Sequence, residues 1–293
     1  MSPANHKARL SACLPFLFVF LWSTGFIGAK FGLPYAEPLT FLLTRYLLVL
    51  ALMIPLVLLT RAPWPADARQ VMHIGVSGLL VHALYLGGVF MAIKHGLPAG
   101  VTALVVGMQP LLTACGVGLL LGERVSPRQW LGLLLGFIGV TLVVANKLGD
   151  VPLAGMLVPA VAALLGITLG TLYQKRFCPR FDLRTGSLIQ FLPAAVLTAL
   201  VAWATESMRI EWTPQFVFAL LWLVLVLSVG AISLLNVLIR SGSAVNVATL
   251  FYLTPPSTAL IAWLLFGETL GALAVAGMVL AVSGVYLARA TAR

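Results

Sequence analysis

Acidic residues are scarce in this chain. Eight Asp and Glu stand against 18 Lys and Arg in 293 residues, and all eight fall in turns or at the ends of apolar runs. A buried carboxylate relay of the kind proton-coupled carriers use is therefore not visible. Charged residues of both signs make up 9%, against about 25% in a soluble globular chain, which excludes a soluble fold. Cysteine is limited to Cys13, Cys115 and Cys178, an odd number without metal-ligand spacing. Four His, no HExxH and no GxxxxGK[ST] loop remove metalloprotease and nucleotide-driven readings. Neither cofactor nor metal is expected. The net charge of +10 does not restore a nucleic-acid reading, because Lys and Arg sit in short turns and not along one face or tail.

What the chain has in abundance is apolar length. Hydrophobic residues make up 61%, mean hydropathy is +1.06, and runs of about 20 residues are long enough to cross roughly 30 Å of hydrocarbon as helices. They lack the polar–apolar alternation of outer-membrane strands. Ten spans follow, at 10–32, 38–60, 70–93, 97–121, 128–146, 152–173, 184–205, 214–239, 243–266 and 269–289. The first exceeds the apolar core of about 7–15 residues typical of a cleaved signal, and is expected to stay as a helix. Cys13 and Cys115 lie in such runs, where thiols act as small hydrophobes.

The runs repeat. Pro110–Glu123, PLLTACGVGLLLGE, returns as PPSTALIAWLLFGE at Pro255–Glu268, an offset of 255 − 110 = 145 residues. Without a gap, the same offset pairs Gly25 with Gly170, Lys30 with Lys175, Gly132 with Gly277 and Gly139 with Gly284. With the N-terminus in the cytoplasm, 13 Lys and Arg lie inside and four (Lys30, Lys94, Lys147 and Arg209) outside, which places both termini in the cytoplasm. A unit of five spans is odd, so its second copy is upside down. Inverted repeats are an arrangement of secondary transporters, whose sites lie near the midplane.

The chain resembles the drug/metabolite transporter superfamily, specifically its ten-helix EamA-type exporters. The residues that carry the resemblance are Leu21-Trp22-Ser23-Thr24-Gly25-Phe26 with Lys30, Thr44-Arg45-Tyr46, the two Pro…Gly-Glu copies, and Gln129-Trp130-Leu131-Gly132 with Gly139-Val140. It implies an all-α integral membrane fold, two inverted five-helix repeats at 10–146 and 152–289 around a central cavity. It also implies export or exchange of small metabolites such as amino acids. The halves depart from one another at Gln190 for Arg45, Ile167 for Trp22 and Val275 for Trp130.

Polar groups at membrane depth are costly and face a cavity or a partner helix. Arg45 lies about four residues, hence about 6 Å, from the middle of its span. It either offers its planar fork to a substrate carboxylate or bonds helix-end carbonyls and snorkels. Gly75, Gly78, His82 and Tyr85 form one stripe at helical spacing; His82 either binds cargo or a proton, or bonds between helices. Gln109 and Asn236 are further candidates for the cavity, with helix-to-helix bonding as the alternative, and Trp22 lies too deep for an interfacial belt. Trp64, Trp212 and Trp130 suit that belt. Pro110 and Pro255 break their helices and are candidate hinges. Glu123 and Glu268 close spans at opposite surfaces, where capping a helix start or pairing with Arg124 or Arg128 is the expected role.

The expected partners are a small-molecule substrate and the lipid bilayer, not nucleic acid, with a monomer or homodimer as the assembly. The expected place is the cell inner membrane. Drug or lipid efflux is the alternative cargo reading. An integral-membrane enzyme would need clustered His, Asp, Glu or Cys at one face, and the chain offers none.

Overall fold

The computed structural model describes residues 3–145, 157–266 and 271–289; Glu268 lies outside them. The described residues form ten helical segments. The first unit contains α1 (Pro3–Gly32), α2 (Pro38–Leu59), α3 (Ala68–Lys94), α4 in two pieces (Ala99–Val106 and Gln109–Leu121) and α5 (Pro127–Val144). The second contains α6 (Leu157–Phe177), α7 (Leu183–Thr205), α8 (Pro214–Ser241), α9 (Ala244–Ala248, Thr249–Leu253 and Thr254–Phe266) and α10 (Ala272–Arg289). Nine stretches among the described residues are long and apolar enough to cross a membrane, and Pro127–Val143 in α5 is a shorter tenth. Without water in the hydrocarbon, each run must satisfy its own amides, which helix does within the segment.

Helix starts are written locally. Pro opens α2, α5 and α8, where its missing N–H is no loss. Asp67, Asp182, Thr213 and Ser243 each accept a first-turn amide. Ser126 and Gln129 form a reciprocal capping box at α5.

The two units share their irregularities as well as their helices. In α3 the turns Leu79–Leu86 widen to π geometry, and in α8 so do Leu223–Ala231, one residue away from the 145-residue offset at one end and on it at the other. In α4 the helix breaks between Val106 and Gln109, starting at the Val106 carbonyl that Pro110 leaves without its amide partner. In α9 the mate of that break is a tight turn, Thr249–Leu253, before Thr254-Pro255-Pro256. Both Pro110 and Pro255 are buried at the start of the last piece of their helix.

Interlocking loops define two faces. On the Tyr35 side, Glu206 Oε1 and Oε2 accept the Leu39 and Thr40 amides at 2.8 and 2.7 Å, capping α2 from the other unit. Glu37 accepts from Ser207 N and Oγ at 2.6 Å, and Ala36 bridges to Ile210. The Ser207 side-chain and backbone donors hold the Glu37 carboxyl below its ordinary value of 4.5. On the Phe181 side, Thr185 Oγ1 donates to Pro63 O at 2.8 Å and Gln70 Nε2 to Arg180 O at 2.7 Å. There Asp182 turns to its own Arg184, at 2.8 Å, whose side-chain donors lower the Asp182 pKa. The loop between α1 and α2 is thus on one face and its mate between α6 and α7 on the other. The second unit is inverted.

The units cross-pack: α1 lies on α8 and α9, α6 on α3 and α4, α2 on α7 and α5 on α10. The last pair touches backbone to backbone. A Cβ on Gly132 would sit 2.5 Å from Ala288 N, and one on Gly284 2.6 Å from Gly132 O. Only small residues admit helices this close.

Candidate functional site

A cavity opens where α1, α2, α3 and α8 meet, lined by Trp22, Gly25, Phe26, Arg45, Tyr85 and Leu227 among others. It is narrow, with about 30 Å³ open to the centre of a water-sized sphere, room for roughly two waters. Arg45 is its only charged lining residue and is 3% exposed. Its Nε donates to Ser228 Oγ of α8 at 2.8 Å, which ties the two units together at the site. Among the described residues no acid pairs with it, and neither amino end of the guanidinium has a hydrogen-bond partner. The snorkelling and carbonyl-bonding alternatives for Arg45 are not what the structure shows.

Aromatic rings wall the cavity. Trp22 stacks on Tyr85 with centroids 6.1 Å apart and planes 10° apart, and meets Phe251 edge-on at 5.3 Å. An unpaired guanidinium between such rings is a fork for a planar anion in a dry, shaped place. A carboxylate fits that description.

A second polar group lies towards the Phe181 side. Gln190 Nε2 of α7 donates to Ser77 Oγ at 3.0 Å and to Gln174 Oε1 at 3.2 Å. Gln174 Nε2 of α6 donates in turn to Asn236 Oδ1 of α8 at 2.8 Å. His82 of α3 is 0% exposed and lies flat on Phe191 at 4.0 Å. Neither of its nitrogens makes a hydrogen bond, and its stacking partner Phe191 directly follows Gln190 in α7. Tyr46 OH donates to the His82 carbonyl at 2.7 Å, inside the π turns that loosen the helix's own pairing.

The structure therefore gathers some of the candidate residues and separates others. Trp22, Arg45 and Tyr85 share the cavity. His82 does not line it, although 3.6-residue spacing put His82 and Tyr85 on one stripe; the π turns of Leu79–Leu86 change the angle per residue between them. Gly78 and Gly75 face α7, with a Gly78 Cβ blocked by the Gln190 backbone, so that part of the stripe admits a close helix. Asn236 belongs to the Gln174 group. Gln109 lines a separate small space with Thr171 and Lys175, its Nε2 donating to Thr171 Oγ1 at 3.3 Å. Glu123 pairs with neither Arg124 nor Arg128 among the described residues, and the next helix start, that of α5, is satisfied by Ser126 and Gln129. Cys178 is buried, and burial pushes its thiol up to about 11, which leaves it unreactive.

Sequence reasoning missed Ser228, Gln174 and the role of Gln190. A signal existed for Gln190, which occupies the Arg45 position of the second unit. Ser228 offered none, because it is one of three serines in a 28-residue apolar span, and a serine there is more often bonded to its own helix.

Inverted five-helix units, cross-packed around an aromatic-walled pocket that holds one arginine, are an architecture of membrane transporters. The EamA-like transporter family matches residues 9–145 and again 154–290, and the chain belongs to that family. It is 30% identical over 290 residues to the uncharacterized transporter YvbV of Bacillus subtilis, covering 96% of this chain and 92% of that one. It is 28% identical over 293 residues to a probable amino-acid metabolite efflux pump of Salmonella typhimurium, covering 96% and 95%. A solved crystal structure shares the fold with a TM-score of 0.74 at 23% identity, covering 94% of this chain and 95% of the other.

Proposed function

We propose that this chain exports or exchanges small carboxylate-bearing metabolites, amino acids foremost, with the guanidinium of Arg45 taking the carboxylate. The observation that carries the reading is Arg45 itself: a cation 3% exposed, with no acid beside it among the described residues, at the wall of a cavity lined from both units. A buried unpaired charge is expensive and is retained where it has a ligand to meet. The Salmonella relative's name supports the cargo class. The two units, 10–146 and 152–289, rock against each other about that site, with the breaks at Pro110 and Pro255 as hinges. The Lys and Arg asymmetry supports cytoplasmic termini in the inner membrane, which puts the Tyr35 side outside. Transport is the activity, not catalysis.

The aromatic walls formed by Trp22, Phe26 and Tyr85 favour a second reading, efflux of amphipathic drugs or lipids. Counterflow separates the two. Proteoliposomes are loaded with one unlabelled compound at a time (amino acids, amines, nucleosides, cationic dyes), and uptake of its labelled trace is followed without an ion gradient. Accumulation of amino acids that Arg45→Gln sharply slows is the expected result. Dye accumulation that survives Arg45→Gln would favour the second reading, and silence across the panel, with and without a pH gradient, would refute both.

A further inference from the structure

The cavity at Arg45 has a shut counterpart on the Phe181 side. Its walls come from α1, α2, α3 and α8, and the mates of these helices at the 145-residue offset are α6, α7, α8 and α3. The mates of Arg45 and Leu227 are Gln190 and His82. Both lie in one buried group with Ser77, Gln174 and Asn236, whose exposures run from 0 to 2%. Several of its polar atoms have no partner: both His82 ring nitrogens, Gln190 Oε1 and Asn236 Nδ2. The Arg45 cavity has room, whereas these side chains are packed against one another.

We propose that Ser77, His82, Gln174, Gln190 and Asn236 form the cargo site of the opposite conformer, open to the Phe181 side, and that this site takes a zwitterion without net charge. The proposal rests on the carrier reading above. Each buried, unmet donor or acceptor costs about 1–3 kcal/mol. A cluster of them on three helices from both units, α3, α7 and α8, is relieved when those helices part and water or cargo enters.

The chemistry of the unmet atoms sets the ligand. Gln190 Oε1 and the unprotonated His82 nitrogen are acceptors for an ammonium. Asn236 Nδ2 and the His82 N–H are donors for a carboxylate. No fixed charge belongs to the group. Lys175, next to Gln174, spends its ammonium on Ile239 O and Gly242 O at 2.8 and 2.6 Å. The Arg45 guanidinium is held by Ser228. A carboxylate thus meets a full cation in one conformer and neutral amides in the other, so the two faces bind the same cargo unequally.

Thiol accessibility tests the site without knowledge of the cargo. In a chain with Cys13, Cys115 and Cys178 replaced, Ser77→Cys, Gln174→Cys and Asn236→Cys are exposed to a membrane-impermeant methanethiosulfonate in inside-out and right-side-out vesicles. Leu165→Cys, on the lipid-facing surface of α6, sets the background, and any one of the three site variants that folds carries the test. Labelling from the Phe181 side more than tenfold above background, and far slower from the Tyr35 side, is expected. Background rates in folded variants, or equal rates from both sides, would overturn the proposal. Gln190→Leu adds a second readout, since it should slow counterflow of L-threonine at least tenfold, and an unchanged rate counts against the site. Labelling as expected with every amino acid silent in counterflow would remove the cargo reading and leave the Phe181-side site standing.

Discussion

At corresponding points the two units keep one backbone and dress it differently. Both third helices widen into π turns, at Leu79–Leu86 and Leu223–Ala231. Both fourth helices break ahead of a proline, at Pro110 and Pro255. Yet the first unit offers Arg45 where the second offers Gln190, Trp22 where it has Ile167, and Tyr85 where it has Gly230. The Tyr35 half holds a charged, ring-walled cavity with open room, and the Phe181 half a neutral, closed hydrogen-bonded group. The difference teaches that the fold is symmetric because helix packing must be, whereas the chemistry need not be. A hydrogen bond between helices in a membrane averages only about 0.6 kcal/mol, so polar residues can change while the scaffold persists.

The sharpest way to break the contrast is Arg45→Gln, which gives both halves the same residue. Hydrogen bonds to a charged group contribute about 1.5–3 kcal/mol, so amino-acid counterflow should fall roughly ten- to hundredfold. Arg45→Lys should fall nearly as far, because a point charge does not reproduce the planar fork. Initial rates in proteoliposomes decide it, and a rate within twofold of the parent would remove Arg45 from the site.

Next in size is the α5–α10 contact, where the halves are most alike. Gly132→Leu drives a side chain into the α10 backbone. Overpacking costs about 1–3 kcal/mol, and rigid backbone on the far side puts this case at the top of that range. Gly118→Ala is the comparison, since its nearest atom lies at 3.7 Å. Thermal unfolding in detergent should show a large drop for the first and none for the second.

The face loops come third. Glu206 caps α2 from the opposite unit, and losing such a cap costs about 1 kcal/mol. Glu206→Ala should therefore lower the unfolding midpoint by a few degrees. The Phe181 side lacks this charged cross-unit cap, so Thr185→Ala should do less.

The smallest effect is one of pH. Ser207 holds the Glu37 carboxyl below its ordinary value of 4.5. Fewer protons bind the folded state, so the contribution is full above the ordinary value and is lost as pH falls through the lowered one. The unfolding midpoint should decline on acidification below that range, and Glu37→Gln should flatten part of the decline. An unchanged profile in Glu37→Gln would show that this carboxylate stabilises nothing.

Much of this architecture could be read in advance, for physical reasons. Apolar length has to become helix in lipid, a 145-residue offset across five spans has to invert, and Pro110 has to break α4. The site was legible only where a residue was costly by itself, as Arg45 is. Ser228, Gln174 and Gln190 are ordinary alone and become informative only when α8, α6 and α7 bring them to partners across the units. His82 lies away from the Tyr85 cavity for a different reason. Sequence periodicity assumes 3.6 residues per turn, and the π turns of α3 do not keep it.

The close approach of α5 and α10 has one more meaning. Gly132 meets Gly284, and their mates Gly277 and Gly139 meet in the same way. Residue i contacts j, and the mate of i contacts the mate of j, which is the geometry of an isologous dimer interface enclosed within a single chain. In a dimer of separate units, any substitution would alter both faces at once. In the joined chain it alters one. That freedom lets one half hold an arginine where the other holds a glutamine, while the glycine contact, whose two sides must still fit, keeps both halves alike.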